Sequence, residues 1–130
     1  MIRGSCCCGA VQFSLADAPS FLADCYCSRC RKLGGSPFVM TPSANVSIDA
    51  GADALVVFPP EPPFKYKREF CGRCGTSLGE ISSAGDMVPI PANCFDDALD
   101  LPLRFVEHAA SKPPWAVIPD GVKVFEGDPG

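Results

Sequence analysis

Apolar and polar residues alternate in several short runs along the chain, and these runs predict β-strands. Successive residues of a strand face opposite sides, so a period of two places one apolar face against a core. Turn-forming residues separate the runs at about the 8 to 12 residue spacing typical of an all-β sandwich or barrel. The predicted strands are Val11–Leu15, Val46–Ile48, Leu55–Phe58, Phe64–Phe70, Leu78–Ile81, Met87–Ile90 and Val122–Phe125.

Helical periodicity is nowhere sustained. Two short helical turns are predicted, Ser28–Leu33, which has a Ser N-cap and is followed by Gly34, and a second near Phe95–Leu99, where Asp96 and Asp97 suit an N-cap. The prolines of Phe58–Phe64 predict a stiff connector between strands. The pattern therefore favours an all-β fold of mainly antiparallel short strands with few short helical turns.

Composition narrows the class of protein. A length of 130 residues predicts a single domain over residues 1–130, and 47% hydrophobic with 20% charged residues is typical of a globular chain. No apolar run approaches the roughly 20 residues of a membrane span, and no signal-peptide core follows Met1, so we expect a cytoplasmic protein without a membrane partner. The net charge of −4 argues against a nucleic-acid partner.

Nine cysteines give the chain its chemistry. An odd number without a secretory signal argues against a disulfide framework and favours metal ligation. Short C-x-C and C-x-x-C hooks let two thiolates converge on one tetrahedral Zn²⁺. The cysteines form three groups and one single residue: Cys6, Cys7 and Cys8; Cys25, Cys27 and Cys30; Cys71 and Cys74; and Cys94.

Two of these hooks resemble each other, because Gly9 and Gly75 each follow the last cysteine. Glycine tolerates the positive φ that lets backbone N–H groups aim at sulfur. Two hooks supply four thiolates, which closes a structural zinc site. The first predicted site is therefore Cys6, Cys8, Cys71 and Cys74.

The central group differs, since it offers three thiolates and no second hook remains. Three protein ligands with an open position are the pattern of a catalytic zinc, held here by Cys25, Cys27 and Cys30. The neighbouring cations offset the negative charge of three thiolates on Zn²⁺ and attract an anionic ligand. These cations are Arg29, Arg31 and Lys32.

Two alternatives stay open for the central group. A fourth ligand would make it a second structural site, and the candidates are Cys7, Cys94, His108 or a carboxylate. A redox pair of Cys27 and Cys30 is the other interpretation, although no thioredoxin-like context follows it. Trp115 is assigned either to a pocket wall or to core packing.

The motifs resemble those of the glutathione-dependent formaldehyde-activating (GFA) proteins, a family that includes the centromere protein V type of domain. The resemblance runs from about Arg3 to Gly127 and rests on four segments. These are Gly4–Val11, Cys25–Lys32 with Gly34 and Pro37–Phe38 after it, Phe70–Thr76, and Ser111–Trp115. It implies an all-β Mss4-like fold, or β-tent, with two zinc ions on the two cysteine sets described above.

The resemblance also implies an activity, the condensation of formaldehyde with glutathione to S-hydroxymethylglutathione, a carbon–sulfur lyase reaction when written in reverse. We therefore expect a zinc-dependent lyase whose substrates are a small thiol and a small aldehyde, with glutathione as co-substrate. Arg31 joins the central cysteines as a catalytic candidate, and Arg29, Arg31 and Lys32 as contacts to glutathione carboxylates. A non-catalytic, zinc-stabilised binding module of the same fold is the alternative.

Three positions depart from the family pattern. Cys7 and Tyr26 stand where family members often carry His, and Cys94 stands where Ser or Thr is usual. These departures concern the particular substrate more than the zinc sites. The sequence leaves open the true substrate, the roles of Cys7, Cys94 and His108, and the oligomeric state.

Overall fold

The computed structural model describes residues 1–129. Within them it shows eleven short strands and one α-helix, α1 (Ser28–Leu33). The strands are β1 (Ile2–Ser5), β2 (Gln12–Leu15), β3 (Leu22–Cys25), β4 (Phe38–Pro42), β5 (Val46–Ala50), β6 (Leu55–Phe58), β7 (Arg68–Cys71), β8 (Ser77–Gly79), β9 (Met87–Pro91), β10 (Leu103–Glu107) and β11 (Lys123–Val124).

These strands form three sheets. Two have three strands, in the orders β1-β2-β5 and β6-β7-β8, and the third has five, in the order β11-β10-β3-β4-β9. Most pairs are antiparallel, but β10 runs parallel to both β3 and β11. The parallel pair sets Glu107 opposite Cys25. The prediction of a mainly antiparallel all-β fold with few helical turns is confirmed.

The larger core cluster lies between the first sheet and its neighbours, and cysteines belong to it. Phe13 is 1% exposed and meets Phe95 edge to face at 5.3 Å between ring centroids. Cys6 and Cys71 are buried in this cluster, so the core and the first predicted metal site are continuous. Its other buried members are Val11, Leu15, Val39, Leu78, Ile81, Ile90 and Cys94.

Every predicted strand has a counterpart, although the bounds shift. β7 begins at Arg68 rather than at Phe64, because the preceding residues form a turn and irregular chain. Four strands were not predicted, namely β1, β3, β4 and β10. β4 lies inside the five-stranded sheet between β3 and β9, so burial on both faces removes the alternation that sequence patterns detect.

One of the two helical predictions is confirmed and the other is wrong. α1 has the predicted bounds, and Gly34 ends it in the left-handed region at φ 71°. The turn expected at Phe95–Leu99 is wrong, since a single 3₁₀ turn lies earlier, at Ala92–Cys94. Asp96 and Asp97 bind the N-terminal strand instead of capping a helix: the Arg3 N–H donates to Asp97 Oδ2 at 2.7 Å, and the Ser5 hydroxyl donates to Asp96 at 2.9 Å. The edge position of β1 leaves the backbone N–H of Arg3 free for the Asp97 carboxylate.

None of the helices in residues 1–129 combines the length and the apolar character needed to cross a membrane.

Candidate metal centres

The first cysteine cluster brings together two hooks that are distant in sequence. The Sγ atoms of Cys6, Cys8, Cys71 and Cys74 all lie within 4.8 Å of one another. The Cys6 and Cys8 sulfurs are 3.6 Å apart, and those of Cys8 and Cys71 are 3.8 Å apart. Four thiols at this separation have the donor type and number of a closed tetrahedral zinc site.

Two similar turns hold these hooks. Cys6 follows β1, and its turn closes with the Gly9 N–H donating to the Cys6 carbonyl at 2.9 Å. Cys71 ends β7, and its turn closes with the Gly75 N–H donating to the Cys71 carbonyl at 2.8 Å. Both glycines have positive φ, 79° and 82°, where a side chain would be strained.

Backbone dipoles in these turns point at sulfur. The Val11 N–H donates to Cys6 Sγ at 3.2 Å, and the Arg73 N–H donates to Cys71 Sγ at 3.4 Å. Hydrogen bonds with the Thr76 side chain and backbone lower the pKa of Cys74 to about 5. Each of these contacts favours thiolate over thiol, which is the form that binds a metal.

The second cluster forms where β3 passes into α1. The sulfurs of Cys25, Cys27 and Cys30 lie within 4.8 Å of one another. Cys25 ends β3, and Cys27 is the N-cap of α1, accepting the Cys30 N–H at 3.4 Å. The N-cap is therefore the cluster cysteine Cys27. The sequence pattern predicted Ser28 as the N-cap, and that prediction is wrong. Cys25 and Cys30 are buried, whereas Cys27 is half-buried.

Within residues 1–129, no fourth His, Cys, Asp or Glu ligand atom joins this second group. Cys94 is buried and donates to the Pro91 carbonyl at 3.0 Å, while His108 Nε2 lies 2.9 Å from Asp128. Cys7 is exposed beside the first cluster, with its N–H on Thr76. Three converging thiols suit a tetrahedral metal that keeps one coordination position for another ligand.

The three cations predicted beside this cluster take different positions. Arg29 is buried and donates to the Pro59 carbonyl at 3.3 Å and to the Tyr66 carbonyl. Arg31 is exposed and donates from Nε to the Tyr26 carbonyl at 3.1 Å. Lys32 is exposed as well. None of these three side chains donates a hydrogen bond to a cysteine sulfur.

The cation that does so was not predicted from sequence. Arg68 opens β7, is buried, and donates from Nη2 to Cys30 Sγ at 3.4 Å. The Cys25 thiol and then the Arg68 charge lower the pKa of Cys30 to about 5. Arg68 lies 38 residues from Cys30 in the chain, so no local spacing could have indicated the contact.

Polar residues around Cys25 were also missed. The Cys25 N–H donates to Ser36 Oγ at 2.8 Å, and the Ser36 hydroxyl donates to Asp24. Glu107 lies opposite Cys25 in the parallel pair, and burial raises the pKa of its carboxyl group. These contacts fix the end of β3 at the cluster.

A cavity of about 250 Å³ lies between α1 and the proline-rich connector. Its walls come from the first turns of α1 and from the proline-rich connector, and include Ser28, Lys32, Phe58, Glu61 and Phe64. A larger cavity of about 580 Å³ lies beside β1, between Arg3, Ser5 and Asp96, and has no cluster cysteine in its wall. Neither cavity has a cluster cysteine in its wall, but the smaller one is lined by residues of α1, the helix that carries Cys30 and is capped by Cys27.

Trp115 lies neither in the core nor in the wall of these two cavities, the two positions predicted for it. Its side chain is 80% exposed and so lies outside the core, and it lines neither of these two cavities. Lys112 Nζ donates to the carbonyls of Pro113 and Ala116, at 3.2 and 2.7 Å, and so holds the turn that presents the indole.

Comparison with known proteins supplies the family. A family model described as "GFA: Glutathione-dependent formaldehyde-activating enzyme" matches residues 1–110. A curated Halomonas elongata protein named "Putative glutathione-dependent formaldehyde-activating enzyme" is 31% identical over 132 residues, covering 91% of this chain and 81% of its own length. A crystal structure of a Rhodobacter sphaeroides protein superposes with a TM-score of 0.60 at 21% identity, covering 78% of this chain and 98% of the other. The structural likeness concerns the fold.

Proposed function

The chain belongs to the family of glutathione-dependent formaldehyde-activating enzymes, and on that premise we propose that it is a zinc-dependent carbon–sulfur lyase. Its substrates are a small thiol of the glutathione type and formaldehyde or another small aldehyde. The observation that carries the proposal is the second cluster, where three thiols converge and no fourth protein ligand joins them in the part of the chain described.

The reaction joins the thiol sulfur to the aldehyde carbon. The carbon–sulfur bond forms as the carbon–oxygen π bond breaks, and the thiol proton ends on the former carbonyl oxygen. A hydroxymethyl thioether is the product with formaldehyde, and the reverse reaction is the lyase direction. No oxidant or reductant is needed.

The two clusters have different roles in this proposal. Cys6, Cys8, Cys71 and Cys74 hold a structural zinc that ties the N-terminal strand to β7. Cys25, Cys27 and Cys30 hold the second. Zinc bound there would supply a Lewis acid that favours the thiolate form of the substrate thiol.

The chain's own residues orient the substrates. The half-buried Cys27 is the most accessible of the three cluster cysteines and caps α1, the helix that also lines the 250 Å³ cavity. Lys32 in the cavity wall offers a positive charge to a substrate carboxylate, and exposed Arg31 offers another on the same helix. Phe58 and Phe64 give the cavity wall an apolar surface for the aliphatic part of a substrate.

Metal content and paired variants test the proposal. We expect two zinc ions per chain in protein purified under reducing conditions without added metal. Cys27→Ser is expected to keep the fold but to lose one zinc and the acceleration of thiol–formaldehyde exchange, followed by NMR with ¹³C-formaldehyde. Cys71→Ser is expected to unfold, whereas the exposed Cys7→Ser serves as the matched control with neither effect. Equal collapse of the Cys27 and Cys71 variants would contradict the division of roles.

One observation favours the alternative, a non-catalytic binding module in which both zinc ions are structural. Trp115 and Val117 are 80% and 83% exposed on a braced turn, as expected of a contact surface. This candidate predicts two zinc ions but no acceleration of exchange by the wild-type protein. The NMR measurement above therefore separates the two functions.

A further inference from the structure

A buried cation from outside the cysteine motifs contacts the second cluster. The Arg68 side chain is 9% exposed, and its Nη2 donates to Cys30 Sγ at 3.4 Å. Its Nη1 donates to the carbonyl of the neighbouring Lys67 at 3.2 Å. The guanidinium therefore spans a backbone acceptor and a cysteine sulfur.

Among residues 1–129, no carboxylate pairs with this guanidinium. Removing a charged group from water is costly unless an opposite charge or hydrogen bonds compensate it. Across residues 1–129, the one ion pair joins His108 and Asp128, at 2.9 Å. Among the hydrogen-bond acceptors of Arg68, only the Cys30 sulfur can carry a negative charge.

The other buried arginine of this region does not play the same part. Arg29 donates to the carbonyls of Tyr66 and Pro59, and its Cζ lies 5.0 Å from the Phe58 ring centroid and 5.3 Å from that of Phe64. Its contacts connect α1 to the proline-rich connector and involve no sulfur. Of the two, only Arg68 bonds to the cluster.

Charge balance gives the Arg68 contact its effect. Three thiolates around a divalent ion leave a net charge of −1. A fixed positive charge at one sulfur stabilises that charge, and a charge-assisted hydrogen bond also holds the sulfur in one orientation. Partners of this kind are typically worth about 10- to 100-fold in metal affinity or activity.

We propose that Arg68 is a positioning residue of the second cluster, which orients Cys30 Sγ and compensates the negative charge of its three thiolates. The proposal rests on the proposed function, because it takes that cluster to be a metal site. Strand β7 then supports both clusters, since Arg68 begins it and Cys71 of the first cluster ends it. Residues three apart in a strand face opposite sides, which suits a strand between two sites.

Three variants test Arg68. Arg68→Met removes charge and donors, Arg68→Lys keeps the charge, and Arg104→Met is the matched control, because Arg104 lies over the Phe21 ring at 4.3 Å. The zinc-loaded protein is titrated with a chromophoric chelator at neutral pH, and the affinity of each zinc site is read from the metal that the chelator removes. We expect Arg68→Met to weaken one of two zinc sites by about 10- to 100-fold, Arg68→Lys to recover part of the loss, and Arg104→Met to match wild type.

Two further readouts separate positioning from general support of the fold. In a Cys27→Ser background, which retains the first cluster, Arg68→Met is expected to leave zinc affinity unchanged. With Co²⁺ as the probe, Arg68→Met is expected to move the sulfur-to-cobalt charge-transfer band to longer wavelength, because losing a hydrogen bond raises the energy of the sulfur lone pair.

The following outcomes would overturn the role of Arg68 or the proposed function. Unchanged affinity at both sites in Arg68→Met, or equal weakening of both, overturns the role of Arg68 while leaving two zinc sites in place. A wild-type chain that binds a single zinc overturns the proposed function instead, and the inference about Arg68 with it.

Discussion

Replacing Arg29 with Met is predicted to destabilise the protein by about 2 to 4 kcal/mol. Hydrogen bonds from a charged donor contribute about 1.5–3 kcal/mol each, and each desolvated cation–π contact up to about 2. Arg29 makes two of each, to the carbonyls of Pro59 and Tyr66 and to the rings of Phe58 and Phe64. Water replaces the side chain at the carbonyls, since Pro59 and Tyr66 are exposed, and Met keeps some contact with the rings. The expected loss is therefore well below the simple sum.

Urea unfolding of the zinc-loaded protein measures this loss, with the same free Zn²⁺ concentration for all variants. Arg31→Met is the matched control, because Arg31 stands on the same helix but is exposed and makes a single bond to Tyr26. We expect Arg31→Met to change stability by no more than about 0.5 kcal/mol. Limited proteolysis is expected to cut Arg29→Met faster than the control within residues 59–66. Equal stability of the two variants would refute the view that Arg29 fastens the connector.

Two other side chains give separate predictions. Burial raises the pKa of the Cys94 thiol to about 12 from its ordinary value of 9.0, so native Cys94 is expected to resist alkylation at pH 8 while exposed Cys7 reacts, as read by peptide mass mapping. Because the folded chain binds the Cys94 thiol proton more tightly than the unfolded chain does, the unfolding free energy of the wild type is expected to fall as pH rises from about 9 toward 12. Cys94→Ala is expected to flatten this pH dependence. Rapid alkylation of Cys94 in the native protein would contradict its burial. Trp115→Ala is expected to change unfolding free energy by no more than about 0.5 kcal/mol, because the side chain is 80% exposed, and a loss of several kcal/mol would show that its packing matters.

The cysteine spacing predicted both clusters because a metal hook is a local feature. Two or three thiolates within six residues already restrict where their sulfurs can meet, and the repeated Cys-Gly turns indicated which hooks belong together. The structure places the sulfurs of Cys6, Cys8, Cys71 and Cys74 in one group and those of the central cysteines in another. The bounds of α1 were equally local, since Gly34 ends it.

What sequence reasoning missed depends on distant pairing. β3 and β10 have only four and five residues, in which apolar and polar residues do not alternate regularly, and they pair in parallel although they are far apart in the chain. The contact of Arg68 with Cys30 follows from how β7 lies against α1, and no spacing in the chain encodes it. Asp96 and Asp97 looked like capping residues because their partners on β1 are about 90 residues away, at sequence separations of 91 and 94.

The two clusters differ in how they join the fold, and this difference bears on function. The first unites residues of the larger core, where Cys6 and Cys71 are buried, so a metal there replaces apolar packing that a small chain lacks. The second has its own small core of Ala23, Cys25, Cys30 and Phe38, with Cys27 packed at its edge. Loss of Cys6 or Cys71 is therefore expected to open the main core, whereas loss of Cys27 is expected to affect only the edge of the smaller one. A metal site that exchanges a ligand during a reaction must be able to do so without unfolding the chain. The second cluster meets this condition better than the first, which supports assigning the chemistry to Cys25, Cys27 and Cys30.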